Sequence, residues 1–443
     1  MVVLGGGWAG LLVAREVRKQ RPEARVIVLE QSPREQSGGL LRSVHEDGFT
    51  FDLGGPHILF SKFRETLEEV RGILGDNVVE RPRRNFVLFD GQFVPYPFEN
   101  GIYRLAPETR ARLGRGLIEA ALERARKPGW APANFREWVY GFFGQGMGSE
   151  YLDPYNTKIW KRPLDSLACD WVYTPGRVPV PEVADIALAL AGIESVGYKE
   201  QSHFLYPKHG GIRSLYESVL EQVLRSEVEV RFHEPVSEVR REPSGWTVNG
   251  AFRAPTVVST LALPDLLPML RGVTDLTPWV PRFDYNRVVV VGVALDRPDP
   301  NQTAVYVPRA DVPFHRYTWM SYLNPPTAEG SSNLIAEVTV PKGQPIDAPA
   351  VTESVLQGLV TIGVAPTRAS IRFARTWVNE YGYPIYTMDH TAAKRAVLPA
   401  LREHGLHSVG RWGSWEYWNT DMVLRAVRTT VTEMLAVPGS AKP

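Results

Sequence analysis

The sequence predicts an α/β protein in which a Rossmann-like dinucleotide-binding domain is interrupted by a helical insertion and an antiparallel-sheet insertion. Three observations predict it. An apolar strand, a Gly-x-Gly-x-x-Gly turn and a helix open the chain. Strands and helices of similar kind return over 205–275 and 385–443. Between them, 96–204 reads as mostly helix and 276–384 as mostly strand. The nucleotide-binding domain is therefore expected to be discontinuous, made of 1–95, 205–275 and 385–443.

The opening stretch "VVLGGGWAGLLVAREV" places Gly5, Gly7 and Gly10 at the dinucleotide spacing. One glycine serves the tight turn, one lets backbone approach a pyrophosphate, and one permits close helix packing. Farther on, "ARVIVLE" is a second apolar strand that ends in Glu30, placed to bind a ribose 2′-hydroxyl. A second glycine pair, Gly38 and Gly39, precedes Leu40, Leu41 and Arg42. That pair resembles the flavoprotein pattern, in which a loop runs beneath the pyrophosphate before the chain reaches the isoalloxazine ring, and it favours FAD over NAD. "FDLGGPHILF" (51–60) follows as a strand and tight turn. Its Gly55 lets the main chain come close to the flavin and sets His57 against the ring.

Residues 61–80 read as a helix and 84–97 as a hairpin around Asp90-Gly91. The stretch 107–150 has helical periodicity, with Pro107 at its start. A strand end, a Gly-Gly turn and a helix occupy 206–224, and strands between 228 and 270 are expected to return to the nucleotide sheet. Residues 286–345 give strands of a second sheet, and 406–436 a strand, a Gly-rich turn and a final helix.

Composition narrows the function classes. With 50 basic and 49 acidic residues the net charge is +1, which offers no nucleic-acid footprint and no polybasic membrane patch. A single cysteine, Cys169, excludes an internal disulfide framework and a cysteine zinc cluster. His203 and His209 have no ligand partners at metal spacing, so no metal is expected. The longest apolar runs, 186–193 and 288–295, fall well short of the about 20 residues that span a bilayer, so no integral membrane segment is expected. A strand beginning at residue 2 leaves no room for a signal peptide, and a cytoplasmic location is the expectation. No nucleophile elbow marks a serine hydrolase. "RPRR" (81–84) reads as a short charge run on a solvated face.

Several blocks resemble the UDP-galactopyranose mutases, within the amine oxidase and protoporphyrinogen oxidase-like flavoprotein group. They are "GGPHILFS", "VPYPFEN", the stretch 134–172 containing "PYNTKIW", "VPFHRYTWMSYLNP", "NEYGYPIYT" and "GRWGSWEY", in the mutase order. The resemblance implies an enzyme that interconverts the pyranose and furanose forms of a nucleotide-diphosphate sugar, UDP-galactose first among them. In that family, reduced FAD attacks the anomeric carbon and the nucleotide diphosphate leaves and returns. The resemblance assigns Arg177 and Arg316 to the diphosphate, with Tyr383 and Tyr417 bonded to it and Tyr306 on the substrate side. It assigns Tyr96, Phe98 and Asn156 to the base, Phe60 and Trp160 to the sugar, and Arg411 and Asn419 to the flavin.

Two positions depart from the family pattern. Glu99 stands where the mutases carry Gln, and when ionised it only accepts hydrogen bonds. Gln201 stands where a substrate-binding Asn is expected. The base and the sugar stay open at this point, as does the oligomeric state. An oxidoreductase of the amine oxidase or protoporphyrinogen oxidase type is the alternative. A mutase needs reduced flavin yet consumes no electrons, so a separate reductant is implied, NAD(P)H being one that would visit transiently.

Overall fold

The computed structural model describes residues 1–173, 182–194 and 202–436. Its organising element is a five-stranded parallel sheet ordered 406–408, 257–259, 2–4, 27–29, 229–231. Val2 lies opposite Ile27 on one side and Val257 on the other. Val2, Val3 and Leu4 are all buried, as expected for a central strand covered on both faces. The helix Trp8–Gln20 returns over the sheet and buries Leu11, Leu12, Val13 and Val17. Gly10 makes that crossover tight: a Cβ there would lie 1.9 Å from the Gly5 carbonyl oxygen.

Strands of this sheet come from both ends and the middle of the chain. The stretch 228–270 behaves differently from the expectation. Only Glu229–Arg231 and Val257–Ser259 join the parallel sheet; 239–242, 245–248, 252–254 and 270–271 form a separate four-stranded one. The reason is local. Asn249 and Gly250, both at positive φ, fold Gly245–Val248 back onto Phe252–Ala254. Hairpin strands are antiparallel, and a parallel ladder requires a long crossover that these short turns do not supply.

A seven-stranded sheet runs 371–384, 285–295, 332–341, 316–319, 304–306, 86–89, 92–95. All its pairings are antiparallel except one, Val305 beside Phe86. The predicted hairpin turns at Asp90 (φ 50) and Gly91 (φ 74). That pairing carries 86–95, drawn in sequence with the nucleotide-binding segments, into the large sheet. Val289, Val290 and Val291 are fully buried at its centre.

The helical stretch 107–150 divides in two. Pro107–Arg126 starts on its proline, and Phe135–Met147 is capped by Asn134, whose side chain accepts from the Glu137 N–H. Asp153–Trp160 follows and brings Tyr155, Asn156 and Trp160 toward the large sheet. Among the described residues no helix is long and apolar enough to cross a membrane.

Candidate active site

The first loops after the strands at 2–4 and 27–29 meet over a glycine-walled groove. A Cβ on Gly7 would touch the Gly39 Cα at 3.8 Å, and one on Gly39 the Gly7 Cα at 3.7 Å. Gly38 and Gly39 both hold positive φ, where a side chain would be strained. The groove encloses about 200 Å³ and is bordered by Gly5, Gly7, Gly39, Leu40, Thr260 and Val423, among others. Gly7 caps the helix Trp8–Gln20 without a side-chain hydrogen bond, and no acid stands in the first turn. The helix therefore presents bare N–H groups to the groove, the usual seat of a phosphate. Glu30 closes the second strand; its carboxylate accepts from the Gly6 N–H and the Ser32 N–H, both at 2.9 Å. This backbone cradle fits a dinucleotide: Gly5 to Gly7 would hold the pyrophosphate, with Gly39 and Leu40 across the groove.

Gly54 and Gly55 are demanded by neighbours. A Cβ on Gly54 would meet the Leu40 carbonyl oxygen at 2.2 Å, and one on Gly55 would meet Glu337 Oε1 at 2.9 Å. The turn is thereby clamped between the second glycine loop and the large sheet, and His57 leaves it at the mouth of the groove. His57 Nδ1 donates to the Gly55 carbonyl at 2.8 Å. Burial, then the Arg411 and Arg316 guanidiniums, push its pKa down to about 4. The imidazole is therefore neutral at pH 7, with its proton on Nδ1 and Nε2 free to accept.

Beyond His57 lies a second cavity of about 260 Å³, and Leu40, His57, Arg411 and Asn419 border both. Its chemistry is supplied by side chains. Arg316, on the strand Arg316–Trp319, forms a two-point ion pair with Glu337: Nε donates to Oε2 at 2.6 Å and one Nη to Oε1 at 2.9 Å. Tyr383 OH donates to the same Oε1 at 3.4 Å. Trp160, Tyr383 and Tyr417 meet edge to face, with centroids 5.4 to 6.1 Å apart. The Arg411 guanidinium lies 4.7 Å from the Tyr417 ring centroid and donates to the Gly382 and Trp418 carbonyls. On the opposite side Arg83 sits over Phe60 and Tyr96, and Tyr96 leans on Tyr306 at 4.9 Å.

Most sequence-predicted residues thus converge. Phe60, Tyr96, Glu99, Asn156, Trp160, Tyr306, Arg316, Tyr383 and Tyr417 line the second cavity. Three qualifications are physical. Phe98 stands behind the wall, 1 % exposed, its ring packed on Phe89 and Tyr151, so it offers no shelf. Asn156 lines the cavity, but its amide is engaged at both ends, donating to the Leu152 carbonyl and accepting from Trp160 Nε1. Arg316 is not a bare clamp, because Glu337 neutralises it. Arg177 and Gln201 lie outside the described residues.

The structure adds residues that sequence reasoning missed. Arg83 lines the cavity rather than a solvated face. Tyr151 and Tyr155, one helical turn apart, join the aromatic wall. Glu337 is buried in the apolar strand Ser332–Pro341. A lone acid in such a strand is the signal that could have found it.

A parallel glycine-cradle sheet, an adjoining seven-stranded sheet and a cavity closed between them define a flavoprotein of the amine oxidase type. The family model for flavin-containing amine oxidoreductases matches residues 8–422, and the chain belongs to that family. It is a flavoenzyme, with FAD as cofactor. The fold is similar to that of a reduced UDP-galactopyranose mutase, 24% identical over 98% of this chain and 93% of that one, with a TM-score of 0.86. It is also similar to a candidate protoporphyrinogen oxidase from Exiguobacterium sp. 255-15, 19% identical, covering 98% of both chains, TM-score 0.76. A cyclohexylamine oxidase from Brevibacterium oxydans is 14% identical, covers 98% of both chains and has a TM-score of 0.66.

Proposed function

We propose that this flavoenzyme is a mutase interconverting the pyranose and furanose forms of a nucleotide-diphosphate sugar, UDP-galactose being the first substrate to test. The observation that carries the reading is the cationic lining of the second cavity. Arg83, Arg316 and Arg411 border it against one ion-pairing carboxylate, Glu337, directly beside the flavin groove. An excess of permanent positive charge on aromatic walls suits a diphosphate that must leave a carbon and stay close. Amine substrates, themselves cations, gain nothing from it.

Bound reduced flavin supplies the nucleophile. The chain's own groups do the rest. Glu337 fixes the Arg316 fork through Nε and one Nη, leaving the other Nη outside that pair for a phosphate oxygen. Tyr383 and Tyr417 stand edge to face at the same end as hydroxyl donors, with the Trp160 ring packed against both. Neutral His57 accepts a hydrogen bond at the junction of the two cavities without adding positive charge beside the ring. Arg177 would complete the diphosphate site, and Gln201 the substrate site. NAD(P)H is the proposed transient reductant.

The Arg316–Glu337 pair also favours a second reading. With Arg316 neutralised, the cavity suits a net oxidation of the amine oxidase or protoporphyrinogen oxidase type. Incubating dithionite-reduced protein with UDP-galactopyranose and UDP-galactofuranose, and separating the products by chromatography, decides between them. Interconversion with reduced but not oxidised protein supports the mutase. No interconversion, with turnover of an amine or porphyrinogen that releases hydrogen peroxide, supports the oxidase.

A further inference from the structure

We propose that Glu99 selects the ring of the bound nucleotide, acting as a buried uncharged acid that takes an imide edge, an N–H flanked by a carbonyl. The inference rests on the nucleotide-sugar reading and goes further by naming the determinant of base choice.

Glu99 belongs to the short turn Phe98–Gly101 that follows the strand Gln92–Pro95. It borders the second cavity, yet only 4 % of the residue is exposed. Its Oε1 is buried with no hydrogen-bond partner among the described residues. A polar atom sealed in this way is unfavourable unless something meets it, so its persistence beside a cavity points to a ligand. The neighbouring wall cannot substitute for it, since the Asn156 amide is engaged within its own helix. Tyr96, Tyr151 and Tyr155 supply the flat apolar surface on which a ring would lie.

The state of the acid follows from its surroundings. Burial raises its pKa to about 8, opposed only by its own backbone N–H. The titratable groups on adjoining elements do not supply a counter-charge. Tyr96 and Tyr151 are phenols, and Tyr151 is itself pushed up partly by Glu99. Arg104, on the next turn, is exposed, and Arg83 sits over Phe60 and Tyr96. Asp185, on the helix Val183–Leu190 packed beside the turn, and Glu150, paired with Arg112, are acids.

A protonated carboxyl presents one O–H donor and one carbonyl acceptor side by side. This is the donor and acceptor pair of a glutamine amide, and it complements the N3–H and C4 carbonyl of a uracil ring. An ionised carboxylate offers two acceptors, and would prefer the paired N–H donors of guanine.

Calorimetric titration of the oxidised holoprotein with UDP and with GDP from pH 6.5 to 9, beside Glu99→Gln, tests the inference. Wild type is expected to prefer UDP at pH 7 and to bind it about tenfold more weakly at pH 9, as the acid ionises. Glu99→Gln, its flavin absorbance checked as intact, is expected to keep UDP affinity at pH 7 within about threefold and to lose that decline. The same variant controls for titration of the uracil N3–H itself. A preference for GDP at pH 7, or UDP affinity with one pH profile in both proteins, overturns the inference while nucleotide binding stands. Failure of both proteins to bind either nucleotide at any pH overturns it together with the nucleotide-sugar reading.

Discussion

The flavin groove and the substrate cavity share a border at Leu40, His57, Arg411 and Asn419, but they are made of different material. At its glycine turn the groove is made of backbone: bare glycines, a helix start without a side-chain cap, and a strand-end acid bonded to main-chain N–H groups. The cavity is made of side chains, several of them charged and several paired with one another. At Gly10 and Gly54 the backbone tolerates no added atom, because the clash is with carbonyl oxygens that cannot move away. A side-chain site tolerates exchanges of shape and answers mainly to charge. The two regions should therefore fail in different ways.

The largest effect belongs to the groove. In Gly10→Val the new Cβ would lie 1.9 Å from the Gly5 carbonyl oxygen. The crossover helix must then lift off the sheet. Loss of bound FAD, and a destabilisation of at least about 3 kcal/mol by chemical denaturation, are expected. A variant with full flavin content and wild-type stability would contradict the backbone account.

The cavity should respond to charge at constant shape. Glu337→Gln leaves Arg316 partly buried without its counter-ion. Because Arg316 retains 23% side-chain exposure, the expected loss is at the lower end for a broken buried pair, about 2–4 kcal/mol, with FAD content unchanged. Equal stability of the two proteins would mean that the pair does not hold the cavity.

A smaller effect concerns the scaffold behind both regions. Asp52 is fully buried, bonded to Tyr206 OH, Ser43 Oγ and the Ile212 N–H, and burial raises its pKa from 3.8 to about 6. The unfolded chain gives up this proton first as pH rises. Stability is therefore lost between about pH 4 and 6, by about 2–3 kcal/mol, and recovered on acidification. Denaturation of wild type and Asp52→Asn across that window should show their difference shifting by this amount; parallel profiles would contradict it.

The same contrast explains what was legible in the sequence. Gly5, Gly7, Gly10 and Glu30 announce themselves because a tight turn, a close helix and a strand end fix residue spacing within one βαβ unit. The Asp90-Gly91 hairpin was legible for the same local reason, but its place in the sheet was not. That depends on the parallel pairing of Val305 with Phe86, more than 200 residues apart. The cavity joins Arg83, Tyr155, Tyr306, Glu337 and Tyr417 from separate elements, and no spacing rule links them. Resemblance to the mutases drew in Tyr306 and Tyr417, but not Tyr155 or Glu337. Arg83 escaped it because a basic run looks the same on a solvated face as over an aromatic wall. Asn156 lines the cavity, but its engagement with Leu152 and Trp160 follows from helix geometry that only coordinates reveal.

The most direct test of the central claim counts electrons and products together. Anaerobic, reduced holoprotein is mixed with excess UDP-galactofuranose, and the flavin spectrum and the sugar nucleotides are followed in the same sample. The account predicts many turnovers to UDP-galactopyranose with the flavin still reduced at the end. Flavin that becomes oxidised in step with substrate consumption, or remains reduced with no product formed, would contradict it.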